Sequence, residues 1–138
     1  FFLWSCNSAE KKSQAYQNSP EKQLSQDTKL KESMENGALV YEDFCTQCHM
    51  HDGMGVANSF PPLAGSNWLS EKRKESIHAV KYGQSGEIEV NGVRYNGVMA
   101  PMGLEDDEIA DVMNYIMNSW GNVQTEMVTK EEVAAIKR

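Results

Sequence analysis

An all-α fold of three to four helices with one small β-hairpin is what this 138-residue sequence predicts, and three observations carry it. Apolar residues recur at steps of three and four from Ile109 to Trp120, the pattern of a helix with one buried face. A second pattern of that kind runs from Met34 toward Cys45-Thr46-Gln47-Cys48-His49. Two alternating runs, Glu87-Ile88-Glu89-Val90 and Val93-Arg94-Tyr95, flank Asn91-Gly92, a dipeptide that supplies the positive φ values of a tight hairpin turn. At 40% hydrophobic and 24% charged residues, the chain suits one small domain with a polar excess at an end.

Taken in order, residues 1–6 form a short apolar stub, read as the remnant of a cut signal sequence. Leu3-Trp4-Ser5-Cys6 is like a bacterial lipobox, whose cysteine is acylated, although Trp4 is bulkier than the small residue usual there. No segment approaches the roughly 20 apolar residues of a membrane-spanning helix, so membrane attachment is expected only through lipid on Cys6. Residues 7–32 have few large apolar side chains and read as a flexible polar linker. The folded domain is expected over 33–122, with a C-terminal extension over 123–138.

Within that domain Ser33 is placed to cap a helix carrying Met34, Gly37, Ala38, Tyr41 and Phe44 toward Cys45. Asp52-Gly53-Met54-Gly55 breaks it, and the prolines of Ser59-Phe60-Pro61-Pro62 impose an extended loop. Ser70 is placed to cap a helix over 71–82, with Ile77 and Val80 inward and Gly83 as the stop. After the hairpin comes a loop holding Met99, Pro101 and Met102, then the strong helix over 105–119 with an acidic first turn that suits its dipole. Thr129-Lys130-Glu131-Glu132 is a capping box opening a last short helix to Lys137.

The run Cys45-Thr46-Gln47-Cys48-His49 is the pattern of covalent c-type haem attachment. Two thiols on one helical turn add to the two vinyl groups of one porphyrin, and the following imidazole turns to the iron. A structural zinc site wants four Cys or His ligands, and no second pair follows. A thioredoxin-like dithiol follows a strand, whereas the residues before Cys45 read as helix. The chain has three cysteines, so with two spent on haem Cys6 has no intrachain partner. A formal charge of −7 argues against nucleic acid as a partner. His51 and His78 read as exposed, and no Ser-His-Asp order or phosphate-binding glycine loop is present.

The order of a helix ending in this motif, a proline loop, a methionine loop and an amphipathic helix resembles the class I cytochromes c over about 33–122. Gly37 and Tyr41 precede Cys45 at steps of four, as in that family's first helix. The resemblance is strongest to periplasmic monohaem cytochromes and cytochrome subunits of quinoprotein-type dehydrogenases, through the runs 60–69, 95–99 and 119–122. It implies haem c bound through Cys45 and Cys48, and close crossing of the first and last helices at Gly37 against Tyr115. It implies His49 as proximal ligand with a proline-loop carbonyl, Pro61 or Pro62, on its other ring nitrogen. It implies a distal methionine at Met99, with Met102 as competitor because Ala100 separates Met99 from Pro101. Trp68, Arg94 and Tyr95 are candidates for the haem propionates.

These readings predict a periplasmic one-electron carrier, working between a dehydrogenase and a terminal oxidase or reductase, rather than an enzyme. The alternative is a haem enzyme or ligand sensor with an open distal position, which the thioethers of the 98–102 loop argue against.

Overall fold

A computed structural model describes residues 20–138; the stub with Cys6, and residues 7–19 of the expected linker, lie outside the described residues. The chain divides into two units between Lys31 and Glu32. The described residues contain helices α1 (Pro20–Phe44), α2 (Thr46–His49), α3 (Asn67–Glu71) and α4 (Arg73–Tyr82). Four short strands follow, β1 (Gln84–Ser85), β2 (Ile88–Val90), β3 (Val93–Tyr95) and β4 (Val98–Met99), and then α5 (Asp106–Met117) and α6 (Lys130–Ala135). Among the described residues no helix is long and apolar enough to cross a membrane.

The first helix departs from expectation at its start. Residues 20–32 are helical rather than an unstructured linker, and Ser33 lies inside α1 instead of capping it. Pro20 occupies a first-turn position where its missing N–H costs nothing, Glu21 suits the helix dipole, and the Lys, Gln and Leu that follow are good helix formers. Apolar content was the wrong criterion here, because good helix formers extend a helix that is already nucleated without needing a buried face of their own. In this N-terminal unit Gln23 donates to Asp27 at 3.0 Å and Thr28 to the Leu24 carbonyl at 2.8 Å.

In the second unit α5 is the central element, buried along Ile109, Val112, Met113, Ile116 and Met117 as its spacing predicts. One flank, with Ile77, Val128 and Val133, forms a cluster against α4 and α6; the other packs Val112 and Ile116 with Tyr41. The contact with α1 is set by Ser33, Gly37, Tyr41 and Cys45, which repeat every four residues along one face. A Cβ on Gly37 would overlap the Asp111 carbonyl and stand 2.9 Å from Tyr115 Cβ, so the two backbones touch there. Phe44 falls off this line and is 46% exposed, against expectation.

Sequence periodicity did not reveal the polar side of this crossing. Ser33 donates to Asp111 at 2.5 Å and accepts from the Asn114 amide at 2.9 Å. Asn114, fully buried, also donates to the Val128 carbonyl and accepts from the Val128 and Gln124 N–H groups. Both amide donors and both carbonyl lone pairs are therefore used, which removes the desolvation penalty of burying the group.

Lys72 interrupts the helix expected over 71–82: α3 ends before it, α4 begins after it, and Ser70 bonds within α3 rather than capping α4. Gly83 ends α4 as expected. The hairpin β2–β3 forms with Asn91 and Gly92 both at positive φ. A second antiparallel pair, β1 with β4, was not foreseen; two-residue strands leave no periodicity to read. Trp120 lies past the end of α5 at φ 52° instead of continuing its buried face.

Thr129 caps α6 by accepting from Glu132 N–H at 3.2 Å. The Glu132 carboxylate, expected to complete the capping box, instead grips the Arg73 guanidinium at 2.7 and 2.9 Å. Arg73, Lys81 and Tyr82 also bond the carbonyls of Glu126, Val133 and Ile136, which clamps the C-terminal segment onto α4. The Arg73 bond holds the Glu132 carboxyl below its usual value near 4.5, against the opposing effect of burial.

Alanine normally favours a helix over glycine by about 1 kcal/mol. At the crossing the sign reverses: Gly37→Ala is expected to lower stability by about 1–3 kcal/mol through overpacking, read as a lower urea midpoint at unchanged m-value. A depressed carboxyl contributes stability that is complete above its unfolded pKa and lost as pH falls through the folded one. Thermal melts are therefore expected to show a destabilisation below pH 4.5 that is smaller in Glu132→Gln than in the native chain.

Candidate functional site

Cys45, Cys48 and His49 are presented by a single turn. Cys45 stands at the head of α2, its carbonyl accepts from Cys48 and His49 N–H at 3.3 and 3.0 Å, and Met50 at φ 65° ends the turn. Both thiols are free and half-buried.

The imidazole of His49 is fixed from its far side. Nδ1 donates to the Pro61 carbonyl at 2.9 Å, which assigns the proton to that nitrogen and leaves the Nε2 lone pair available to a metal. Pro61, not Pro62, is thus the partner. Burial lowers the His49 pKa, outweighing the Pro61 bond that raises it, so the ring is neutral at neutral pH.

Three sets of contacts hold the Pro61 carbonyl in place. Leu63 and Ala64 N–H both donate to the Gly53 carbonyl, at 2.7 and 2.9 Å. Asn122 accepts from Gly65 N–H at 2.8 Å and donates to the Leu63 and Ile116 carbonyls at 2.9 Å, tying the proline loop to the end of α5. Gly55 leaves room for the loop: a Cβ there would lie 2.8 Å from the Pro61 oxygen. The sequence offered Asn122 only as part of a run, since the length of its reach is a tertiary property.

Aromatic donors hold the chain just beyond His49. Tyr41 Oη donates to the Met50 carbonyl at 2.7 Å and Trp120 Nε1 to the His51 carbonyl at 3.0 Å. Tyr41, Tyr115 and Trp120 pack as a triad with centroids 5.1–5.7 Å apart, and the Trp120 ring occupies the space a Gly53 side chain would need. Burial raises the Tyr41 pKa far above the phenol range, so its hydroxyl stays a donor.

Met99 sits on β4 paired with Gln84, and is half-buried while its neighbour Val98 is 80% exposed. Met102, also half-buried, lies beyond the strand on unpaired backbone. The three propionate candidates have different surroundings. Tyr95 is buried on β3; Arg94 faces the other way, exposed, 3.8 Å from Glu87; Trp68 lies on α3 with the Lys72 ammonium 5.5 Å from its ring centre. Reciprocal bonds link α3 to the hairpin turn, Asn67 N–H to Asn91 Oδ1 and Asn91 N–H to Asn67 Oδ1. His51 is exposed and 3.1 Å from Glu42, whereas His78 is half-buried against Tyr82.

The donor set fits one kind of group. Among the described residues no three His, Cys, Asp or Glu side chains converge on a possible metal position, so these side chains by themselves offer no tetrahedral zinc site. Burial, helped by Cys48, pushes the Cys45 thiol up to about 11, opposite to the lowered pKa of a redox-active dithiol. Two thiols on a turn beside an imidazole with an open, oriented nitrogen fit a covalent haem, held through Cys45 and Cys48 with His49 toward the iron.

Comparison with known proteins agrees. The cytochrome c family model matches residues 34–120. Cytochrome c-552 of Thermus thermophilus is 39% identical over 111 residues, covering 74% of this chain and 84% of that protein. The cytochrome c subunit of gluconate 2-dehydrogenase from Pantoea cypripedii is 34% identical over 112 residues, which are 75% of this chain and 24% of that protein. The cytochrome c subunit of quinone alcohol dehydrogenase from Gluconacetobacter polyoxogenes is 32% identical over 115 residues, 73% of this chain and 22% of that protein.

Removing the Asn122 amide leaves two carbonyls and one N–H without their partner. Asn122→Ala is expected to cost about 1–3 kcal/mol in denaturant titration, and Asn122→Asp, which keeps only the acceptor, nearly as much.

Proposed function

The chain belongs to the cytochrome c family, and on that premise we propose that it carries single electrons in the cell envelope through one haem held between His49 and Met99. Bound haem supplies the one-electron change between ferrous and ferric iron. The protein supplies the rest. The Pro61 carbonyl orients the imidazole and makes it a better donor, and the Asn122 clamp limits how far that carbonyl can move. A site held this firmly suits electron transfer, in which rearrangement between oxidation states slows the reaction. The His49–Pro61 bond is the observation that carries the reading, because a donor fixed from behind is what a permanent axial ligand needs.

For the distal position, Met99 is favoured over Met102 by its backbone, which a strand pairing fixes. A soft, neutral thioether would serve both oxidation states and raise the potential. The relatives from gluconate and alcohol dehydrogenases are cytochrome subunits of those enzymes, which supports a dehydrogenase as electron donor; a terminal oxidase or reductase would then be the acceptor. The envelope location and an anchor through acylated Cys6 complete the proposal, and a mature mass with unmodified Cys6 would remove the anchor.

The ferric protein is expected to show the methionine-to-iron charge-transfer band, and the ferrous protein to resist carbon monoxide. Met99→Ala should abolish the band and Met102→Ala should keep it. Ready carbon monoxide binding by the native protein would favour an open-site enzyme or sensor instead.

A further inference from the structure

The methionine loop does not lie free against the domain. Its backbone crosses the end of α4, where Gly83 stands at φ 88°. A Cβ at Gly83 would come 2.7 Å from the Met99 carbonyl oxygen, 3.1 Å from Pro101 Cδ and 3.3 Å from Pro101 N. Real Cβ atoms essentially never approach backbone closer than about 3 Å, so any side chain here must displace the Met99–Pro101 backbone. The next residues after Gly83 are Gln84 and Ser85, which pair with Met99 and Val98. The close approach and the strand pairing are thus two parts of one seat: α4 ends, Gly83 lets the loop down onto the helix end, and β1 holds it there.

The geometry points to Gly83 as a positioning residue for the distal ligand: its missing side chain sets the depth at which the Met99 backbone sits. This rests on Met99 being that ligand, as proposed above. It also gives Pro101 a place. The proline that family resemblance expected directly after the ligand is shifted by Ala100, and here its ring packs on Gly83 instead of following the methionine directly.

A matched control lies three residues on. Gly86 has the same φ of 88°, but a Cβ there would meet nothing within 4 Å. Alanine at either position therefore meets a positive φ of the same size, and only at Gly83 does it also strike the Met99 carbonyl.

The test compares holoproteins of the full chain carrying Gly83→Ala, Gly86→Ala or Met99→Ala, by ferric absorption and by carbon monoxide binding to the ferrous form. The expected result is loss of the methionine-to-iron band and gain of carbon monoxide binding in Gly83→Ala, with both unchanged in Gly86→Ala. If Gly83→Ala keeps the band, or if both glycine variants lose it, Gly83 does not position the ligand. A band that survives Met99→Ala overturns the ligand assignment itself, which is a separate failure. Should Gly83→Ala not fold, amide exchange in the native holoprotein decides. Protection at those amides of the Gln84–Met99 and Ser85–Val98 pairing that donate across it, well above that at exposed Asn96 and Gly97, supports the seat, and equal rates overturn it.

Discussion

The contact of two helix backbones at Gly37 is the constraint from which the rest follows. Helices separated by side chains usually stand 8–10 Å apart, and only a residue without a Cβ brings backbone to backbone. Along the α1 face the crossing is polar at Ser33, bare at Gly37, aromatic at Tyr41 and ends at the first attachment cysteine. Cys45, Cys48 and His49 therefore inherit their position from α5, though they lie more than fifty residues away from it in sequence. Tyr41 and Trp120 complete the connection by holding the carbonyls of the two residues after His49.

The two sides of the site are built differently. The proximal side is a network of hydrogen bonds, from Asn122 and Gly53 onto the proline loop that carries Pro61 and from Trp120 onto the His51 carbonyl beyond His49. The methionine side depends on a two-residue strand pairing and a close approach to a helix end. Four backbone residues and a packing contact are easier to open than a network of that size. On the proposed ligation, exchange at the iron would begin on the methionine side.

Legibility in the sequence followed how local each signal is. The attachment motif, the α5 face, the Asn91-Gly92 turn and the Gly83 stop are local patterns, and the structure contains each of them. Gly37 and Pro61 were reached through family resemblance, since nothing in their immediate neighbours says what lies opposite. Asn114 and Asn122 stayed hidden because an asparagine in sequence reads as surface, and only the fold shows that one amide makes four bonds and the other three. Ser33 and Glu132 look like capping residues and were recruited elsewhere, Ser33 by the helix crossing and Glu132 by Arg73. Competition of that kind between local and distant partners cannot be read along a chain.

The clamp that Arg73, Lys81 and Tyr82 place on the C-terminal segment has a consequence for assembly. Val128 and Val133 are among the most completely buried residues, and Asn114 cannot satisfy its amide without the Val128 backbone. Loss of this segment would uncover one flank of α5 and take two bonds from the buried Asn114 amide, so the clamp on α4 also guards the polar side of the crossing between α1 and α5.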